Sequence, residues 1–263
     1  MDSNFPIARV IRDRRTGKIV GPISQIFEED WPFVEVPENE ILWRYMELWK
    51  FEDFLKTSTL YMARPDTFLD QLEGRFSEGN KTRKSRSDEA FHDLYNIQEG
   101  DSKSYVETHR TIVFISCWHR GSKESLRMWR EYTDSPQSAV VVSSVKAMRR
   151  FLPQKLMAFG VKYHPNDFPR TEFSHNSLFF YKTSDYAYER EFRILRSPLE
   201  TEVFHSENPD DKFRRVPVNL KKIVHRVISH PNATRETKNR IDDLLKKYLP
   251  KLTRENSALQ IGH

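Results

Sequence analysis

A chain of 263 residues with 37% hydrophobic and 13% aromatic residues can bury a sizeable core, which excludes an intrinsically disordered protein and leaves one large domain or two small ones. Lys and Arg number 43 against 38 Asp and Glu, a net charge of +5 that permits an anionic partner, but the scattered cations lack the stripe of a dedicated duplex binder. The single cysteine, Cys117, excludes a disulfide framework and a Cys-rich zinc site. No apolar run reaches the ~18 residues of a membrane span, so no membrane partner is expected. Without a signal peptide's apolar core at its start, the chain reads as cytoplasmic.

Taken in order, Ile7 to Ile23 reads as a hairpin turning at Asp13-Arg-Arg-Thr-Gly17, within an N-terminal extension over 1–40. Ile41 to Tyr45 starts a strand. Leu48, Phe51, Phe54 and Leu55 at helical spacing predict an amphipathic helix that ends near Thr57-Ser58, and Thr59 to Ala63 is a second strand closed by Pro65. An ordered loop from Pro65 to Gly74 plugs Phe68 into a core. A polar insertion follows near 75–88, leading into a helix from about Glu89 to Gln98. Thr111 to Trp118 is nearly all apolar, the pattern of a central strand buried on both faces. Ser122 can cap a helix over Lys123 to Tyr132.

Beyond these come a strand (Ser138 to Ser143), a short helix (Val145 to Leu152), a strand (Ala158 to Tyr163) and a helix or extended turn (Ser177 to Lys182). Glu189 to Leu195 alternates charged and apolar residues, the period of a strand with one buried side. Val216 to Val218 and Ile223 to Ser229 are further strands, and Thr234 to Tyr248 is an amphipathic helix. Residues 251–263 read as a frayed tail. The elements add up to one α+β domain over 41–250.

On the predicted last strand, Glu189 and Glu191 would project from one face about 7 Å apart. They would repel unless a cation or ligand stands close. Arg190, Arg193 and Arg196 could supply that charge, in which case the stretch is an ion-paired strand edge. Other candidates fall short on spacing. Gly74 to Thr82 nearly matches a phosphate-binding loop but carries an extra Asn before its Lys and follows no buried strand. Asp210 with Glu236 and Lys238 imitates a nuclease pattern, yet the latter two sit in the first turn of a surface helix. The nine histidines show no tetrahedral metal spacing, so no metal ligand is expected. Ser116-Cys-Trp118-His119 lacks a nucleophile elbow. Its hydroxyl beside Trp118 and Trp129 fits a flat heteroaromatic ligand or, equally, an aromatic core cluster. Arg44, after Trp43, either snorkels or reaches for an anion.

Leu42-Trp-Arg44-Tyr45, Thr59-Leu-Tyr61, Pro65-Asp-x-Phe68, Glu73-Gly74, Ile115-Ser-Cys-Trp118, Met128-Trp129-x-x-Tyr132 and Tyr188-Glu-Arg-Glu191-x-Arg193, in that order, resemble the bacterial domain of unknown function 2971 family. The motif order of that family is in turn similar to the ADP-ribosyltransferase superfamily in its Arg-Ser-Glu version. The resemblance implies a split, mostly antiparallel sheet flanked by short helices, and NAD as substrate. Arg44 would hold the NAD phosphates or adenosine ribose, Ser116 would support the nicotinamide pocket, and Tyr45, Trp118 and Arg193 would complete the binding set. Glu191, preceded by Glu189, would hold the nicotinamide ribose and stabilise an oxocarbenium-like transition state. A carboxylate suits that developing charge, and an arginine fork suits a pyrophosphate. The implied activity is an ADP-ribosyltransferase or NAD glycohydrolase of a toxin or phage-defence system, with water, protein or nucleic acid as acceptor. It requires Arg44, Ser116 and Glu191 to line one cleft, within ~10 Å of one another. The alternative is a non-catalytic module that binds nucleic acid or protein through the basic insertion Lys81 to Arg86.

Overall fold

The computed structural model describes residues 34–68, 70, 73–74, 110–153, 156–164, 175–196 and 211–259. In chain order they form β1 (Ile41–Glu47), α1 (Leu48–Thr57), β2 (Thr59–Ala63), a 3-10 turn (Pro65–Thr67), β3 (Phe114–Arg120), α2 (Leu126–Tyr132), β4 (Ser138–Ser144), α3 (Val145–Phe151), β5 (Met157–Gly160) and β6 (Lys162–His164). A 3-10 segment (His175–Phe180), β7 (Tyr181–Thr183) and a second 3-10 segment (Ser184–Glu189) follow. β8 (Glu191–Arg196), β9 (Phe213–Pro217), α4 (Leu220–Ile223), β10 (Arg226–Ser229), α5 (Arg235–Tyr248) and β11 (Arg254–Asn256) complete the chain. The predicted hairpin, polar insertion and Glu89 to Gln98 helix lie outside the described residues.

The expected central strand is the axis of the sheet. Along one edge β3 pairs with the whole of β8, from Phe114 opposite Arg196 to His119 opposite Glu191. Its other edge is shared: β1 takes the C-terminal end, with Trp43 opposite His119, and β2 takes the N-terminal end, with Ala63 opposite Ile115. The sheet is thus split between β1 and β2. From β1 it continues through β4 and β10 to β11, and from β2 to β9, while β5 pairs with the far edge of β8. Every pairing in this sheet is antiparallel except β10 with β11. The fold is α+β, one domain with a mostly antiparallel sheet and flanking helices. Among the described residues no helix is long and apolar enough to cross a membrane.

Alternation along β1, β3 and β8 sorts their side chains onto two faces. Leu42, Met46, Phe114, Trp118, Phe192 and Ile194 point one way, into the main core beneath α1, α3, α4 and α5. That layer assembles because each helix carries one apolar stripe: Phe51, Phe54 and Leu55 on α1, and Ile241, Leu244 and Leu245 on α5. At ~1.5–3 kcal/mol per fully buried large apolar side chain, this layer supplies most of the driving force. The other face carries Ile115, Leu195 and Phe180 at one end and Trp43, Tyr45 and Trp129 at the other. Between them lies a polar belt.

Several boundaries differ from expectation for identifiable reasons. The helix ahead of Tyr132 starts at Leu126, because Ser125 and not Ser122 accepts the Met128 amide. The strand expected over Ala158 to Tyr163 divides into β5 and β6 around Val161, and the strand expected over Ile223 to Ser229 is α4 followed by β10. Residues 251–259 are not frayed: β11 pairs with β10, and the Glu124 carboxylate accepts from Ser257 and from the Ala258 amide. Nor does the domain begin at residue 41, since Val34 bridges to Gly160 and Val36 is buried in the main core.

Candidate functional site

The polar belt is a buried ion network of three glutamates, a lysine and an arginine, all at most 7% exposed. The Lys182 ammonium, on β7, donates to Glu189 Oε2 at 2.6 Å and to Glu191 Oε1 at 2.8 Å, with Glu73 Oε2 at 4.0 Å. The Arg193 guanidinium donates to Glu191 Oε2 at 2.6 Å and Oε1 at 3.1 Å. Its remaining fork meets Glu73 and the Phe179 carbonyl, the latter at 2.6 Å.

Local sequence explains the convergence. Glu189 does not stand on β8, as the alternating pattern predicts. It ends the Ser184–Glu189 3-10 segment, and Arg190 takes a left-handed turn (φ 43°) before β8 opens at Glu191. The two carboxylates therefore fold toward one ammonium instead of standing two residues apart on a straight strand. His119 fixes that corner: its Nδ1–H donates to the Glu189 carbonyl at 2.7 Å, the only sense in which a carbonyl can pair with it. The Glu191 amide donates to the Tyr163 hydroxyl at 2.8 Å. Glu73 is delivered by Gly74, at φ 71°, where a Cβ would stand 2.2 Å from the Phe179 ring. Only glycine combines that turn with that approach.

The electrostatics separate the two neighbouring glutamates. Burial and the adjacent Glu191 raise the Glu189 carboxyl to about 8. Burial would raise Glu191 too, but Arg193 and Lys182 hold it well below the usual carboxylate range. Burial also pushes Glu73 up, against the pull of Arg193. For Lys182 burial acts downward and is overcome by the surrounding carboxylates, so the ammonium is held charged. Three carboxylates against two cations leave one negative charge if all ionise. A proton on Glu189 at neutral pH makes the network neutral, with the Glu189 carboxyl hydrogen-bonded to an ionised Glu191. Burial pushes the Cys117 thiol well up, so it is a poor nucleophile. Tyr132, 39% exposed as a residue, stands next to the pair; burial of its hydroxyl, then Glu191 and Glu189, raise its phenol.

The remaining expected residues lie elsewhere. The Arg44 guanidinium sits in the split between β1 and β2, donating to Ser116 Oγ at 2.8 Å and the Tyr61 carbonyl at 2.9 Å, 5.6 Å from the centre of the Trp118 ring. Burial lowers it to about 10. Arg44, Ser116 and Trp118 thus come together as expected, but on the helix-covered face; the register of β3 with β8 puts Glu191 and Arg193 on the opposite one. The three-residue cleft required of Arg44, Ser116 and Glu191 is not formed. Arg193, expected to bind cofactor, is fully buried with its fork engaged by Glu191 and Glu73. Tyr45 packs edge-on to Trp129 at 4.9 Å, and its hydroxyl accepts the Ser125 amide at 2.9 Å. Trp118, 1% exposed, fills the core. Sequence reasoning did not single out Lys182 or Tyr163, and it considered His119 only as a neighbour of Ser116 in a nucleophile pattern that lacks its elbow. A lysine closing the apolar run Leu178-Phe-Phe-Tyr-Lys182 was the available signal, because a buried strand tolerates such a charge only beside partners. Most of the near-match phosphate loop and the whole Lys81 to Arg86 insertion lie outside the described residues. No family model matches this chain, and no curated protein matches it.

Proposed function

We propose that the protein cleaves a glycosidic bond at the Glu189–Glu191 pair, with NAD as the substrate and water or a macromolecule as the acceptor of ADP-ribose. The observation that carries this reading is the pair itself: two adjacent carboxyls whose surroundings drive one up to about 8 and the other far down. Opposed shifts in neighbouring carboxyls are the physical signature of divided acid and anion roles. In NAD the carbon–nitrogen bond to the pyridinium breaks, its electron pair stays with nitrogen, and neutral nicotinamide leaves. Ionised Glu191 stabilises the positive charge that develops on the ribose. Protonated Glu189 orients that carboxylate by its hydrogen bond. The acceptor's proton passes to solvent once it bonds to the anomeric carbon. The single cleft that the Arg-Ser-Glu set requires is not met, since Arg44 and Ser116 lie on the face opposite Glu191, so the reading rests on the glutamate pair alone and leaves Arg44 and Ser116 with a structural task.

The test is nicotinamide release from NAD by wild type, Glu191→Gln and Glu189→Gln, with melting temperatures to confirm folding. The expected result is turnover in the wild type that falls at least about 100-fold in Glu191→Gln. The wild-type rate should decline as pH rises through about 8, where Glu189 deprotonates, and Glu189→Gln should lose that limb. A folded wild type with neither turnover nor an NAD-dependent rise in melting temperature overturns the reading.

A further inference from the structure

On the helix-covered side of the sheet, away from Glu191, a groove of about 660 Å³ opens where the ends of α1, α3, β9 and α5 meet α4. Ser58, Phe151, Val218, Asn219, Lys221 and Tyr248 are among its lining residues, and no carboxylate lines it. Phe151, the last residue of α3, is 36% exposed, a costly display for a large apolar side chain. Two cations flank it: the Arg150 guanidinium 5.5 Å from the ring centre and the Lys222 ammonium at 5.7 Å. The Lys247 ammonium stands 5.2 Å from the Tyr248 ring. Arg150, Lys221, Lys222 and Lys247 are all exposed, and none makes an ion pair among the described residues. Other surface arginines are neutralised by carboxylates, Arg149 by Glu35, Arg240 by Glu52 and Arg226 by Glu255, whereas here four cations gather around one groove with an exposed ring.

We propose that this groove binds a single-stranded nucleic acid, with bases stacked on Phe151 and Tyr248 and phosphates held by Arg150, Lys221, Lys222 and Lys247. An exposed ring, Phe151, and a partly exposed one, Tyr248, set among cations that make no ion pair within the described residues, supply the two interactions such a strand offers, base faces and backbone charge. A duplex hides its base faces and would use the cations alone. An acidic peptide or anionic lipid surface would likewise leave the rings without a role. Short α4 brings Lys221 and Lys222 to the rim beside α3, so one continuous surface presents both chemistries. The inference does not rest on the glycosidic reading, because the groove and the carboxylate pair occupy opposite faces of the sheet.

The experiment is fluorescence anisotropy with labelled oligothymidylate and oligouridylate of about 12 nucleotides, against a duplex of the same length and vesicles of anionic phospholipid. With four phosphate contacts and a slope of about −0.7 per contact, affinity for the single strand should drop roughly fifty-fold between about 50 and 200 mM salt. The double variant Lys221→Glu/Lys222→Glu should weaken single-strand binding at least about ten-fold and flatten that slope. Phe151→Ala should weaken it by about five-fold or more while leaving the slope unchanged, as loss of stacking predicts. Exposed positions make both variants compatible with folding, checked by melting temperature. Variants that bind like wild type overturn the proposal, as does equal or tighter binding to duplex or vesicles that ignores Phe151.

Discussion

The two faces of β3 handle buried charge in opposite ways. Behind Ser116 and Trp118 the sheet admits one cation, Arg44, and satisfies it with neutral oxygens: a serine hydroxyl and a backbone carbonyl. Behind Cys117 and His119, one residue along in either direction, five ionisable groups share a site and pair with one another, with Glu73 Oε2 alone lacking a hydrogen bond. The first arrangement bridges the split between β1, β2 and β3, and its cost is limited because a single charge is desolvated and donates to two polar oxygens. The second is expensive. Desolvating paired charges is seldom repaid in stability when compared with an apolar core of the same volume. A seam needs only hydrogen bonds. A group of five buried charges, with two adjacent carboxyls driven apart in acidity, is the arrangement expected where charge must be ready for chemistry.

The largest expected effect is on the charged face. Arg193→Met removes the fork that holds both Glu191 and Glu73, leaving two buried carboxylates with Lys182 alone. Breaking one partner out of a buried ion pair costs about 3–5 kcal/mol, so the denaturant midpoint should fall accordingly, with the slope unchanged. A loss below ~1 kcal/mol would mean that water reaches the network freely, and the contrast between the faces would collapse.

The next effect is its pH dependence. The folded-state value of Glu189, about 8, lies above the ~4.3 of an unfolded glutamate, so the native state binds the proton more tightly. Its contribution is fully present below pH ~4.3 and is lost as pH rises through about 8, at up to ~1.4 kcal/mol per pH unit. Glu191, lowered in the fold, acts in the reverse sense: its contribution is present above ~4.3 and lost in acid. Wild-type stability should therefore decline between about pH 6 and 8, and Glu189→Gln should flatten that decline. An equal slope in both proteins would place the proton elsewhere, with Glu73 the first suspect.

How much of this was legible in the sequence follows from which interactions are local. Strands and helices with clear periodicity, such as Thr59–Ala63 and the α5 stripe, are written in neighbouring residues and appear where predicted. The sheet's split was expected through family resemblance, and the structure has it between β1 and β2. Glu189 and Glu191 were visible as a pair, but their geometry was not. The left-handed turn at Arg190 is favoured by no glycine or asparagine and is sustained by what surrounds it, including the His119 bond to the Glu189 carbonyl. Lys182 and Glu73 reach the pair through sheet topology and a glycine turn far away in the chain, and no spacing rule connects them. Arg44 and Ser116 were rightly joined to each other and wrongly joined to Glu191. Face assignment depends on strand register, and a shift of one residue reverses it.

The smallest expected effect tests that last point most sharply. Arg44→Met keeps the aliphatic stem against Trp118 but forfeits the hydrogen bonds to Ser116 and the Tyr61 carbonyl, a loss of about 1–2 kcal/mol. The same variant should retain NAD turnover within a few-fold if the opposite face does the chemistry. Combined with Glu191→Gln, its effect on stability should add with a coupling under ~0.5 kcal/mol, because the two side chains share no partner and project from opposite faces of one sheet. A coupling near zero, with turnover intact in Arg44→Met and lost in Glu191→Gln, assigns the seam to the fold and the carboxylates to function. A coupling above ~1 kcal/mol, or turnover abolished by Arg44→Met in a folded protein, would instead mean that β3 transmits between its faces. Arg44 would then return to the substrate site that the Arg-Ser-Glu resemblance implies.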